Sequence, residues 1–530
     1  MTEPAKGIER LLAYAVNNEL IDEIDVIYVR NRLLNLLQIK QPSVIDYTAF
    51  LDEEKTNAVE ILQSLLDHAV EEHLIEDSVT SRDLFDTKIM GLITPMPSTI
   101  AEQFYKKARE TCIQSATDYF YKLCMDVNYI RTKRIAKNRK WTYPSRYGNI
   151  EITINLSKPE KDPLELKKAL NTPSAEYPKC KLCIDNMGYE GRLNFPARQN
   201  HRLIPLKLLE GENGEGENWF FQYSPYVYYN EHCIVIYEKH RPMNICRKTF
   251  ERLLEFLKKF PHYFIGSNTD LPIVGGSILE HEHYQGGRYE MPMVDAEIEE
   301  YYSHQDFEET GIETGILHWP LSGIRIRSKN SAAIVRMADR ILKTWRGYSD
   351  EAAGIINESE TDGIVYQHNT VTPISRRKQD GTYEMDIVLR NNRTSATYPM
   401  GIFHPHPEYH HIKKENIGLI EVMGLAILPG RLEKELERIV EYLTGKNKGE
   451  PAAIVKEDEL YKHRQWIEEM LDERGIMSEN EAFEFVKDEI GKRFTRVLEN
   501  AGVYKKDEKG SLAFHKFMKE CGFELKRKGN

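Results

Sequence analysis

An α+β fold is what this sequence predicts, on three observations. Apolar residues in the first 125 positions recur at spacings of three and four, the period of amphipathic helices. From about residue 126 the texture turns to short runs rich in aromatic and β-branched side chains, with helical stretches between them. After Pro429 the helical period returns. The expected organisation is a helical N-terminal extension over 1–125, an α+β core over 126–429 and a helical C-terminal region over 430–530.

The elements follow in order. IERLLAYAVNNELI, DVIYVRNRLLNLLQI, NAVEILQSLLDHAVEEHLI and FYKKARETCIQSATDYFYKLC each place their apolar residues on one helical face, as a packing layer does. NIEITINL alternates like a strand. SKPEKDPLELKKALNTPS (157–174) reads as a connector with one helical turn, and EGENGEGEN (210–218) as a flexible acidic loop. NWFFQYSPYVYYNEHCIVIYEKH holds strands, KTFERLLEFLKKF a helix and EMDIVLRNN a further short strand. RLEKELERIVEYLTG, DELYKHRQWIEEMLDERG, EAFEFVKDEIGKRFTRVLENAG and SLAFHKFMKECGF are the C-terminal helices, their charged faces solvated. No internal repeat or low-complexity tract appears, so functional residues are expected in the middle third.

Composition narrows the partners. At 41% hydrophobic residues, a chain of 530 can bury a sizeable core. A net charge of −11 disfavours a general nucleic-acid binder, which needs a basic face, but leaves room for a small phosphorylated ligand held by a few local donors. The start, TEPAKGIERLLAYAVNNEL, lacks the basic, apolar and small-residue succession of a signal peptide, and no run approaches the roughly 20 apolar residues of a membrane span. Seven cysteines, an odd number, fit a reducing cytoplasm better than a disulfide framework. A cytoplasmic protein without a membrane partner is expected.

The chemistry concentrates at SILEHEHYQGG, 277–287. His281, His283 and Gln285 share a period of two, which on a strand sets all three on one face. A neutral imidazole attacks phosphorus if one ring nitrogen is free and the other is hydrogen-bonded. His283 is central, Gln285 can donate to a phosphate oxygen, and Gly286 and Gly287 let backbone approach a ligand. Upstream, Asn268, Gly275, Gly276 and Ser277 are small, donor-rich residues suited to phosphate or sugar. The same His-x-His row also suits a metal pair or a solvent-facing strand. Cys180 and Cys183 form a C-x-x-C, either a redox pair or half of a metal site; His240 and His281 are the further ligands available to zinc. Arg131, Lys133, Arg134, Lys137, Arg139 and Lys140 form a basic cluster in an acidic chain, read equally as a phosphate grip or a solvated patch.

Together these motifs resemble the galactose-1-phosphate uridylyltransferase family, in particular its long bacterial second type, within the histidine-triad superfamily. The resemblance covers roughly residues 130–430. It implies a histidine-triad-like antiparallel sheet core with helical extensions, and transfer of UMP from UDP-glucose to galactose 1-phosphate in a ping-pong cycle, releasing glucose 1-phosphate and UDP-galactose. By match to the His-Pro-His-x-Gln motif of the family's short form, His283 is the nucleophile, Gln285 stabilises the phosphoryl group and the His281 carbonyl orients the His283 ring. Arg131, Lys133 and Arg134 match a phosphate-proximal Arg-x-Lys-Arg run, and Ser224 in FQYSPY a uridine contact. Asn268 and Ser277 join the substrate-binding set. Cys180, Cys183, His240 and His281 match a structural zinc site. FHPHPEYHH, with His404 and His406, resembles a later His-x-His segment, and GLIEVMGLAILPGRL the sugar-phosphate region after it. A homodimer is implied. Glu282 departs from the motif's proline. The short form's second metal also uses a glutamate and a further histidine; Glu297, Glu299 and Glu300 compete for the first role and no histidine sits at the matching distance before His404, so that metal stays unassigned.

In histidine-triad hydrolases a histidine stands where this chain has Gln285. Glutamine hydrogen-bonds but is neither acid nor base, which favours transfer over hydrolysis. The alternative within the superfamily is a dinucleotide phosphorylase or hydrolase. A non-catalytic zinc module and a partner-docking role for the helical ends are the other readings.

Overall fold

The computed structural model describes residues 4–53, 58–157, 177–211, 215–275 and 278–526. The chain divides into two compact units, Met1–Lys137 with Ser157–Arg241, and Asn138–Leu156 with Pro242–Asn530. No helix among the described residues is long and apolar enough to cross a membrane.

The first unit opens with helices α1 (Pro4–Asn17), α2 (Val26–Leu36), α3 (Ala58–Glu71), α4 (Val79–Ile93), α5 (Pro97–Glu110) and α6 (Ile113–Asp126). α1 buries Ile8, Leu11, Leu12 and Ala15, the stripe its spacing requires. α3 crosses it so closely at Gly7 that a Cβ there would come within 2.9 Å of Leu65. Glu9 interrupts the apolar face, and Arg30 holds both of its carboxylate oxygens at 2.8 and 2.7 Å. Ser78 starts α4 by accepting the N–H of Ser81.

The hairpin β1 (Arg139–Ser145) and β2 (Gly148–Asn155) comes next along the chain and belongs to the second unit. The first unit resumes with an antiparallel meander, β3 (Ile204–Leu208), β4 (Glu217–Tyr223) and β5 (Cys233–Tyr237). Rings from α5, α6 and β4 interlock beside it, with Phe104, Phe120, Phe221 and Tyr223 centred 5.1–6.5 Å apart. The expected connector, from residue 158 on, lies outside the described residues, as do 212–214 of the acidic loop; Glu217 and Asn218 of that loop open β4.

The second unit is an antiparallel sheet with helices against it. α7 (Arg247–Lys259) leads to β6 (Phe264–Gly266) and β7 (His283–Gly287); β8 (Ile298–Ser303), β9 (Glu313–Leu317), β10 (Gly323–Ser328), α8 (Ser331–Gly347), β11 (Asn369–Arg377) and β12 (Tyr383–Asn391) follow. Within this unit the order is β8-β9-β10-β12-β11-β6-β7, every pair antiparallel. α7 and α8 pack on this sheet through Phe250, Leu253, Leu257, Ile334, Ala338 and Ile341. β13 (Leu425–Pro429) pairs parallel to β2, closing a small second sheet β1-β2-β13. The four expected C-terminal helices are present as α9 (Leu432–Leu443), α10 (Arg464–Arg474), α11 (Glu479–Ala501) and α12 (Glu508–Glu520). The helical period gave no sign of β14 (Glu524–Leu525), two residues paired to the outer edge of β8.

The centre of this sheet is ionic. Arg325 on β10 lies across from Asp386 on β12 and grips it with two hydrogen bonds of 2.7 and 2.9 Å, while donating to the carbonyls of Met293 and Ala296 at 2.8 Å. Arg376 on β11 reaches Asp386 at 2.9 Å and also binds Glu384. Arg325, Glu384 and Asp386 are fully buried. Burial pushes the Asp386 carboxyl up, but the two guanidiniums outweigh it and hold its pKa below the ordinary value. Asp386→Asn removes the carboxylate that both guanidiniums share and leaves them only Glu384, so a loss of about 3–5 kcal/mol is expected in urea unfolding at neutral pH. Because the folded pKa is depressed, this stabilisation is present above about pH 4 and fades as pH falls through the folded value. The wild type and the variant should therefore converge in acid; equal stability at neutral pH would refute the role.

Candidate active centre and metal site

β7 begins at His283, so His281 sits on a bend just before the strand instead of within it. The two histidines meet through the backbone. His283 Nδ1 lies 2.8 Å from the carbonyl oxygen of His281. A carbonyl only accepts, so Nδ1 carries the proton and Nε2 keeps its lone pair. The main-chain N–H of His283 points at Met243 Sδ, 3.3 Å away. The ring is buried, and burial lowers its pKa more than the carbonyl bond raises it. His283 is thus a neutral imidazole of fixed tautomer at neutral pH.

Register places the neighbours. Gln285 pairs with Gly266 on β6, and strand alternation sets its side chain on the same face as that of His283. A Cβ at Gly266 would meet Leu419 and the Pro373 carbonyl oxygen at 2.9 Å, so this row admits only glycine beside Gln285. Asn268 follows two residues on; its Oδ1 accepts the N–H of Leu419 at 2.9 Å, at the start of the helical turn Leu419–Val422. Gly275 takes a φ of +140°, a conformation that side chains disfavour. Gly276 and Ser277, both expected at the substrate, lie outside the described residues.

In the first unit, Cys180, Cys183 and His240 bring three ligand atoms within 4.8 Å of one another. The two sulfurs are 3.3 Å apart, too far for a disulfide and close enough to share one ion. Asn186 ties the loop by donating to the carbonyls of both Cys180 and Cys183, at 2.8 and 2.9 Å. The Cys180 thiol is pushed far up, first by its hydrogen bond with Cys183 and then by burial. A cation that binds thiolates would reverse that preference. Two sulfurs and an imidazole are a donor set that zinc accepts. His281, the fourth expected ligand, belongs to the second unit and is itself buried.

The basic cluster begins on a short helix, Thr132–Ile135. Arg131 binds Asp83 at 2.9 Å and Asp86 at 3.3 Å, Arg134 holds both oxygens of Asp83, and Lys133 binds Glu60 at 2.8 Å. These forks grip carboxylates of α3 and α4, partners that no local reading of RTKR reveals. Ser224 is buried after β4, its N–H donating to the His232 carbonyl at 2.8 Å. His404 is buried, with Nε2 3.1 Å from Asn416 Oδ1, and burial lowers its pKa. His406 stacks on Tyr398 at 4.3 Å.

One pair escaped sequence reasoning. Glu299, one of three competing glutamates, contacts Nδ1 of His318, while Glu300 contacts His515. β8 and β9 bring the first two together from 19 residues apart. The signal was present as a histidine just past an alternating strand, but the pairing of β8 with β9 had to be known. Among the described residues no third ligand joins them.

Residues 19–242 match the family model for the N-terminal domain of galactose-1-phosphate uridyl transferase, and residues 255–446 the model for its C-terminal domain. The galactose-1-phosphate uridylyltransferase of Caldanaerobacter subterraneus subsp. tengcongensis is 53% identical over 98% of this chain and 99% of its own. That of Fusobacterium nucleatum is 50% identical over 97% and 98%, and that of Bacillus subtilis 47% over 97% of each. These alignments thus run through the N-terminal and C-terminal regions as well as the middle. The crystal structure of yeast Ap4A phosphorylase Apa2 matches at 11% identity and a TM-score of 0.29, over 59% of this chain and 89% of that one, too slight a likeness to bear on the fold.

Asn186→Ala strips both cysteine carbonyls of their donor. It should cost about 2–3 kcal/mol in denaturant unfolding, with faster modification of Cys180 and Cys183 by a thiol reagent. Unchanged stability and thiol reactivity would show that the loop holds itself.

Proposed function

The chain belongs to the galactose-1-phosphate uridylyltransferase family, and from that premise we propose that it transfers the uridylyl group of UDP-glucose to galactose 1-phosphate through a covalent intermediate on His283. As a member of that family it is a nucleotidyltransferase. One observation carries the mechanism: a buried, neutral imidazole whose Nδ1 is held by the His281 carbonyl at 2.8 Å, so that Nε2 has a lone pair to give. Nε2 attacks the α-phosphorus, the P–N bond forms, and glucose 1-phosphate leaves with the bridging oxygen. A phosphate oxygen of galactose 1-phosphate then attacks the same phosphorus and the P–N bond breaks, releasing UDP-galactose. A sugar phosphate leaves without strong protonation, which suits a centre where Gln285 stands in place of an acid. Gln285 donates to the phosphoryl oxygens, where charge develops. Asn268, Ser277 and Ser224, with Arg131, Lys133 and Arg134, complete the proposed substrate contacts, and residues 126–429 the catalytic core.

The proposal includes a structural zinc on Cys180, Cys183, His240 and His281. The soft thiol pair and the shared loop support it on the first unit's side. Its effect would be to fix the C-x-x-C loop of the first unit. The family resemblance adds a homodimer and a cytoplasmic site of action. A dinucleotide phosphorylase or hydrolase is not favoured, because relatives near 50% identity over almost the whole chain carry the transferase name.

Two tests follow. Intact-protein mass after mixing with UDP-glucose alone should rise by one acid-labile uridylyl group, and His283→Ala should show none. A folded, active protein that never gains this mass would contradict the intermediate. Elemental analysis should find one zinc per chain, lost in Cys183→Ser; a metal-free wild type of full activity would remove the zinc from the account.

A further inference from the structure

The residue between the two histidines departs from the motif of the family's short form. The motif has proline there, which fixes φ and stiffens the chain. This chain has Glu282, and the structure buries it at 3% exposure. Alternation points its side chain to the face opposite His283, toward α7. There Arg252 donates from Nη1 to Glu282 Oε1 at 2.9 Å, and Tyr284 donates its hydroxyl to the same oxygen at 3.0 Å. Arg252 also reaches the Tyr284 oxygen at 3.3 Å. Both charged side chains are only 4% exposed. A buried ion pair of this kind is weak evidence for stability, since apolar residues of similar volume usually do as well. Its use is better sought in what it holds still.

What it holds is the peptide that orients the nucleophile. The carbonyl of His281 that accepts from His283 Nδ1 belongs to the peptide bond joining 281 to 282. Clamping the side chain of 282 on one face and that of 284 beside it limits how this peptide plane turns and how far the ring of 283 can tilt. The clamp stands on a firm base. α7 begins with a reciprocal cap, the Cys246 N–H donating to Thr249 Oγ1 at 3.2 Å and the Thr249 N–H to the Cys246 carbonyl at 2.8 Å. Around Arg252 it buries Phe250, Leu253, Leu254 and Phe256. We propose that Arg252, Glu282 and Tyr284 form a positioning device that does by a buried ion pair what proline does in the short form's motif, setting the His281 carbonyl against the His283 ring. The proposal rests on His283 being the nucleophile.

The test compares Glu282→Gln, Arg252→Met and Arg252→Lys with wild type, all in the metal-replete protein. Glu282→Gln keeps the shape and removes the charge, so it should fold. The single-turnover rate of uridylylation by UDP-glucose should fall about 100-fold in Glu282→Gln and Arg252→Met, the scale of a small misplacement at a reacting centre. KM should stay near wild type, and Arg252→Lys, which keeps the charge, should recover part of the rate. Unchanged rates, or a loss carried by KM alone, would overturn the positioning role. A wild type that takes no uridylyl group would instead contradict the functional reading. The positioning claim is then judged by 15N spectra of histidine-labelled protein, with His283 assigned by its loss in His283→Ala. The Nδ1–H tautomer should dominate in wild type and become a mixture in Glu282→Gln; an unchanged tautomer would overturn the proposal.

Discussion

The hydrogen bond between the His283 ring and the carbonyl of His281 is the constraint around which the second unit is arranged. An imidazole in water exchanges tautomers and orientations freely. Here the acceptor is main chain, two residues back, and cannot itself be protonated. That choice fixes which nitrogen holds the lone pair, and burial keeps the ring from being lost to protonation. The bond survives only if the 281–282 peptide keeps its plane. The bend before β7, the pairing of Gln285 with Gly266, and the Arg252–Glu282 clamp all act on that one degree of freedom.

The sheet gives its two faces different work. Pairing carries one row from Gln285 through Gly266 and Ile374 to Asp386, all on the same face. That face has polar and ionic groups, among them the Arg325–Asp386–Arg376 network. The opposite face packs apolar residues of α7 and α8, and Glu282 is anchored there by an arginine within an apolar helix surface. Buried charge is costly wherever it is not fully paired, so two such networks in one sheet leave little freedom for alternative packings. Phosphoryl transfer depends on positioning and on stabilising charge, and a stiff polar sheet suits both.

Much of this was legible in the sequence because the signals were local. Helix periods located α1–α3 and α9–α12 and joined α5 and α6 in one stretch, while α4 was not singled out; alternation located β2, and aromatic and β-branched runs held β4 and β5. The pattern His-x-His-x-Gln told of a strand and of a special ring, and C-x-x-C told of a paired thiol. What stayed hidden depended on partners far along the chain. The parallel pairing of β2 with β13 joins residues near 150 to residues near 427. The carboxylates that Arg131 and Arg134 bind were hidden because Asp83 and Asp86 are about fifty residues away on another helix. Glu282 read as a break in a motif, since nothing in SILEHEHYQGG shows that Arg252 lies beneath it. The contact of Glu299 with His318 was hidden for the same reason, since it needs β8 paired with β9.

The central claim is that the uridylyl group rests on the protein between two displacements. Isotope exchange tests it most directly: labelled glucose 1-phosphate is mixed with unlabelled UDP-glucose and the protein, with no galactose 1-phosphate present. A covalent intermediate returns label to UDP-glucose at a rate comparable to turnover. If label enters UDP-glucose only when galactose 1-phosphate is also bound, transfer is direct and His283 is not the carrier.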